Sequence, residues 1–106
     1  MAVQVSVVGS GVEHEANAEE VGRLLASRGA TVVTGIGHGR NLAVVASGDA
    51  VIAVGGRYGT LAEIGFALTL GRPVVVLEPG WQVEGTQRAQ TPVEAVELAF
   101  AAARTV

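Results

Sequence analysis

The sequence predicts a single α/β domain, residues 1–106, built on a parallel sheet. Three observations predict it. Four short apolar runs, at residues 3–8, 31–34, 50–54 and 73–77, alternate with stretches of helix length. The runs are apolar nearly throughout rather than at every second position, as strands covered on both faces are. The first and third runs end in glycine-rich turns, Gly9-Ser10-Gly11 and Gly55-Gly56-Arg57-Tyr58-Gly59-Thr60. With right-handed crossovers, these elements give a three-layer sandwich around a four-stranded parallel sheet of order 2-1-3-4. The chain then reverses its winding between strands one and three. A ligand is expected there, outside the carboxyl ends of the strands.

Each element has a local reason. Val3-Gln4-Val5-Ser6-Val7-Val8 is β-branched and stops at glycine. Glu13 to Arg28 reads as a helix, because Val21, Leu24, Leu25 and Arg28 recur at i, i+3, i+4 and i+7. Gly29 suits its C-terminal stop, and residues 31–34 form strand two. Arg40 to Ser47 is a short helix with Leu42, Val45 and Ala46 on one side. Strand three, Ala50 to Val54, is followed by a helix over Leu61 to Leu70. Pro73 opens strand four, where its missing N–H is tolerated. Residues 82–90 are polar and read as an exposed loop, with a brief strand considered at Gln82 to Glu84. Thr91-Pro92-Val93-Glu94 is a capping-box start for the last helix. Its inner stripe is expected at Val93, Val96, Phe100 and Ala103.

Composition narrows the function. The net charge is −3, and the seven basic residues form no cluster, which argues against nucleic acid or an anionic membrane as partner. There is no cysteine, so disulfide and thiolate chemistry are excluded. Two histidines in separate loops argue against a metal site, and no cofactor is expected. No apolar run has membrane-spanning length and no basic leader opens the chain, so the expected location is the cytoplasm. Mean hydropathy is high, at +0.44. The 61–70 helix is apolar around most of its circumference, which predicts a two-fold homodimer that buries it.

A strand that feeds a helix through glycines aims unsatisfied N–H groups and the positive end of the helix dipole at one point. The candidate phosphate contacts are therefore Gly9, Ser10, Gly55, Gly56, Arg57, Gly59 and Thr60. Glu63 is either a capping-box partner of Thr60 or a carboxylate directed into the crevice, where it could serve as acid or base. Arg40 either reaches the same crevice or is a solvated surface arginine. Asn41 either contacts a base or ribose or caps the short helix. His38 is a loop residue or a ligand contact. Trp81 either packs against a neighbouring loop or subunit or stacks on a base.

His38-Gly39-Arg40-Asn41, then Asp49-Ala50, then Gly55-Gly56-Arg57-Tyr58-Gly59-Thr60-Leu61-Ala62-Glu63, resembles the core of the LOG (lonely guy) cytokinin-activating proteins. These lie within the wider SLOG superfamily of Rossmann-like nucleotide binders. The resemblance covers most of the chain, including its opening Val7-Val8-Gly9-Ser10-Gly11. It implies a Rossmann-like fold and cleavage of a nucleoside 5′-monophosphate to free base and ribose 5-phosphate. It would give Arg40 and Glu63 the catalytic roles, with Gly56, Gly59 and Thr60 on the phosphate. Such chemistry suits a carboxylate beside an oxocarbenium-like centre. Three departures stand out. Against the family's P-G-G-x-G-T-x-x-E pattern, Gly55 replaces the proline and Arg57 the second glycine, and one α/β unit after strand two is missing. The R-N pair and G-G-x-Y-G-T turn look closer to bacterial SLOG proteins that include relatives of molybdenum-cofactor carriers. The expected function is thus binding of a nucleotide or phosphorylated nucleotide-like ligand at residues 55–60. The alternatives are a phosphoribohydrolase and a shortened relic that binds nothing tightly.

Overall fold

Five parallel strands form one sheet in the order β2-β1-β3-β4-β5. They are β1 (Gln4–Ser10), β2 (Thr31–Val33), β3 (Ala50–Gly55), β4 (Val74–Leu77) and β5 (Gln87–Ala89). The helices are α1 (Glu15–Ser27), α2 (Tyr58–Thr69) and α3 (Pro92–Arg104). The computed structural model describes residues 3–10, 15–33, 44–56, 58–77 and 81–104. Residues 44–47 are also helical. The fold is the expected α/β sandwich, and the expected 2-1-3-4 order holds across its first four strands.

The fifth strand corrects the sequence reading. It lies at Gln87–Ala89, not at residues 82–84, and pairs in parallel with Val75 to Leu77. Only Ala89 is buried in it. A three-residue edge strand with one inward side chain leaves no apolar run to read. The described part of the link from β4 to β5 crosses α2's face of the sheet, with Trp81 and Val83 packed there.

β3 explains the two layers of core. All six of its residues are buried. Ala50, Ile52 and Val54 face α1 and α3, which supply Val21, Leu25, Val96 and Phe100. Val51 and Ala53 face Val44, Val45, Ile64 and Ala67 on the other side. Alternate side chains of one strand thus fill both interiors. At the edge of α1, the Arg28 guanidinium lies 4.2 Å from the centre of the Phe100 ring, a cation–π contact.

Several expected details shift. α2 begins at Tyr58 rather than Leu61, and the expected start of α1 at Glu13 lies outside the described residues. Val44 and Val45 are the buried pair of the 44–47 turn, and Ala46 is exposed. In α3, Val93 is 50% exposed and the inner face is Ala95, Val96, Ala99 and Phe100. Small alanines let this helix lie close to the sheet, so the stripe rotates away from Val93. Its start is nearly the expected capping box. The Glu94 amide donates to Thr91 Oγ1 at 3.1 Å, but the Glu94 carboxylate accepts from the Gln90 amide, at 2.7 Å, rather than from Thr91.

The amino ends of the central strands are tied together. Asp49 accepts from the Gln4 amide at 2.9 Å, and its own amide donates to the Gln4 carbonyl at 2.7 Å. Buried Ser6 donates to the Val44 carbonyl at 2.6 Å, and Gly48 lies so close that any side chain there would strike Ser6. Arg72 donates to the Ala46 carbonyl at 3.2 Å, where a cation also suits the end of a helical turn. Ser6→Ala should lower stability by ~1–3 kcal/mol, because it strands a buried carbonyl. Urea unfolding should show a lower midpoint with an unchanged slope.

Candidate functional site

The site is built where β1 and β3 end side by side. Gly9 is paired with Val54, and Ser10 with Gly55. A Cβ on Gly9 would run into the Val54 carbonyl, and its φ of +149° is itself unsuited to a side chain. Glycine is therefore required for the two strands to stay paired up to their carboxyl ends. Of the two expected loops, the described starts, Gly9-Ser10 and Gly55, lie side by side, and Gly11 and Arg57 fall outside the described residues. β2 leaves on the far side of β1, so the winding reverses at this point.

Beyond Val54 the chain turns through Gly55 and Gly56, with φ values of +59° and +99°. It then enters α2 at Tyr58. The Thr60 side chain sits where a Gly56 side chain would have to be. Thr60 is 3% exposed and lies inside the first turn of the helix, not at its cap. This overturns the capping-box reading of Thr60 with Glu63. The early helix start leaves the amides of Tyr58, Gly59 and Thr60 among those with no intrahelical acceptor. Gly59 differs from its neighbours. It is exposed, its φ is not positive, and nothing lies within 4 Å of a Cβ placed on it. No packing demand explains glycine there.

Glu63 is 5% exposed and faces inward with Thr60, Ile64 and Ala67. It is the one charged residue of α2. The outward face of the helix is Tyr58, Ala62, Gly65 and Thr69, all exposed and none charged. α1 contrasts with this: its outward side carries Glu15, Glu19 and an Arg23–Glu20 ion pair at 2.7 Å.

Arg40, Asn41, Arg57 and His38 lie outside the described residues. Asp49, part of the motif, is at the opposite end of β3 from the glycine turn, tying β1 to β3. Two residues gain weight from the structure. The Tyr58 and Trp81 rings meet at 5.7 Å between centroids, tilted by 42°, beside the start of α2. The sequence signal for Tyr58 was its place inside the G-G-x-Y-G-T turn. Nothing in the sequence joined it to Trp81. Among the described residues no group of three or more His, Asp or Glu side chains could hold a metal. No described helix is long and apolar enough to cross a membrane.

A parallel sheet of this order, with helices on both faces and a glycine turn entering a helix at the reversal point, defines a Rossmann-like α/β protein. The match of residues 30–104 to the SLOG cluster4 family model gives the narrower identity: the chain belongs to that family. A protein from Archaeoglobus fulgidus is 48% identical over 65 residues, which is 61% of this chain and 43% of the relative. The chain thus matches less than half the length of that relative. The molybdenum cofactor binding protein of Rippkaea orientalis superposes with a TM-score of 0.82 at 21% identity, covering 95% of this chain and 97% of the other. The CMP N-glycosidase BcmB of Clostridium botulinum gives a TM-score of 0.61 at 17% identity, covering 92% and 98%. At these identities the likeness is one of fold.

The glycines of the turn separate by role. Gly56→Ala should cost ~1–3 kcal/mol through the left-handed backbone and the Thr60 contact. Gly59→Ala should leave stability unchanged or raise it by up to ~1 kcal/mol, since alanine is the better helix former. Chemical unfolding of the two variants checks this contrast.

Proposed function

We propose that the chain binds a nucleotide, or a phosphorylated nucleotide-like cofactor, at residues 55–60. The observation that carries this reading is the bare, exposed Gly59 amide region at the tip of α2, next to the close-packed ends of β1 and β3. Free first-turn amides and the helix dipole attract an anion, and an absent side chain lets it approach. Gly9, Ser10, Gly55, Gly56, Arg57, Gly59 and Thr60 are the proposed phosphate contacts, with Asn41 toward the base or ribose. The likeness to a molybdenum cofactor binding protein supports a phosphorylated ligand of this kind.

One observation favours a second reading, hydrolysis of a nucleoside 5′-monophosphate. Glu63 is a buried carboxylate one turn beyond Thr60 on the same helix face, and BcmB shares the fold. In this reading water adds to C1′ as the bond to the base breaks, giving free base and ribose 5-phosphate. Glu63 stabilises the positive charge that develops on the sugar and takes the proton from water, and the departing base takes up a proton from solvent. Arg40 holds the substrate.

Thermal shifts with CMP, AMP and ribose 5-phosphate, run beside chromatography for free base, test both readings. A stabilising shift without base release supports binding alone. Base release lost in Glu63→Gln supports the hydrolase. Gly59→Ala should weaken phosphate-ester binding about tenfold while remaining at least as stable as the parent. Undiminished binding in that variant contradicts the site.

The homodimer is part of the same proposal. It is formed by Ala62, Gly65 and Thr69 on the uncharged outer face of α2, with Tyr58 at the first turn outside the interface. Light scattering of the parent protein should give a dimer, and Ala62→Arg should give a folded monomer. A monomeric parent at micromolar concentration contradicts the interface.

A further inference from the structure

The chain contains one tyrosine and one tryptophan, and the fold brings them together at the corner where α2 begins. Tyr58 is the first residue of that helix, so its ring is one side chain's length from the free first-turn amides. The ring remains 80% exposed even with Trp81 against it. The contact therefore does not serve to bury tyrosine. It holds the ring and leaves most of it open to water.

Trp81 is held from the other side. Its carbonyl accepts from Arg88 Nη1 at 3.1 Å, and Arg88 belongs to β5. Thr86 Oγ1 donates to the Val83 carbonyl at 2.7 Å and folds the same loop back on itself. Trp81 and Val83 then pack on the core beneath α2. A ring supported in this way loses little freedom when a second flat ring lies on it, and base–aromatic stacking tolerates any base.

We propose that Tyr58, braced by Trp81, is the surface on which the flat heterocycle of a phosphorylated ligand stacks while its phosphate takes the amides at the start of α2. The ligand class is a nucleoside 5′-monophosphate or another ester that joins one phosphate to one heteroaromatic ring. This inference rests on the anion-binding reading above, and it names the residue that separates such ligands from a bare sugar phosphate.

Trp81 fluorescence reports this corner alone, because the chain has no second tryptophan. CMP and AMP should change the emission on titration. Ribose 5-phosphate should bind by calorimetry without changing it. Tyr58→Ala should weaken CMP and AMP binding about tenfold, the loss of one base–aromatic stack, and Tyr58→Phe should restore it. Ribose 5-phosphate affinity should be the same in all three proteins. If Tyr58→Ala binds CMP and AMP as tightly as the parent, or loses ribose 5-phosphate equally, the stacking role is overturned while the anion site stands. If the emission follows protein concentration and ignores nucleotides, the aromatic pair is a contact between copies and the proposal is overturned. If the parent binds none of the three esters, the anion-binding reading fails and this inference with it.

Discussion

One constraint, glycine at position 9 against the Val54 carbonyl, governs the rest of the structure. No side chain fits between them, so β1 and β3 stay paired to Ser10 and Gly55. That pairing brings the two glycine-rich exits to one edge. It also fixes the direction from which the chain enters α2. A branched residue at Gly9 would separate the strands at the level where the turn begins. The start of α2 would then lose its position relative to β1.

The two ends of the sheet do different work. At the amino ends, Asp49, Ser6, Gly48 and Arg72 tie the segment before β3 to β1 and to the end of the 44–47 turn. Ser6 and Arg72 donate to carbonyls of the 44–47 turn, and Asp49 both accepts from and donates to the Gln4 backbone. They keep the central strands in register without contributing to a ligand site. The carboxyl ends have no comparable cross-strand side-chain ties among the described residues. The motif aspartate is instructive here, because a residue that travels with a functional pattern acts in this fold at the far end of the strand.

What was legible in the sequence followed from long-range burial. β1, β3 and β4 are continuous apolar runs because both of their faces are covered, and right-handed crossovers then fixed the order. The convergence of Gly9-Ser10 with Gly55-Gly56 was legible for the same reason. Elements that depend on few buried groups were not. β5 buries only Ala89, so its polar residues read as loop. The α3 stripe was misplaced because buried alanines carry less pattern than the exposed Val93. The start of α2 is three residues earlier than the sequence suggests, since Tyr58-Gly59-Thr60 has turn composition and only Thr60 of the three is buried. The Tyr58–Trp81 pair joins residues far apart in the chain through a loop crossover, and no local period announces it.

That early helix start changes how the motif should be read. In a longer loop, every glycine would be equally available to a ligand. Here Gly55 and Gly56 satisfy the backbone turn and make room for Thr60, so their identity is accounted for by folding. Gly59 is accounted for by neither, because it has ordinary backbone geometry, an exposed position and open space around it. A glycine costs a helix stability relative to alanine. Its presence in the first turn, at the exposed tip of α2 and beside an open tyrosine ring, fits the proposed approach of a ligand to that turn from outside.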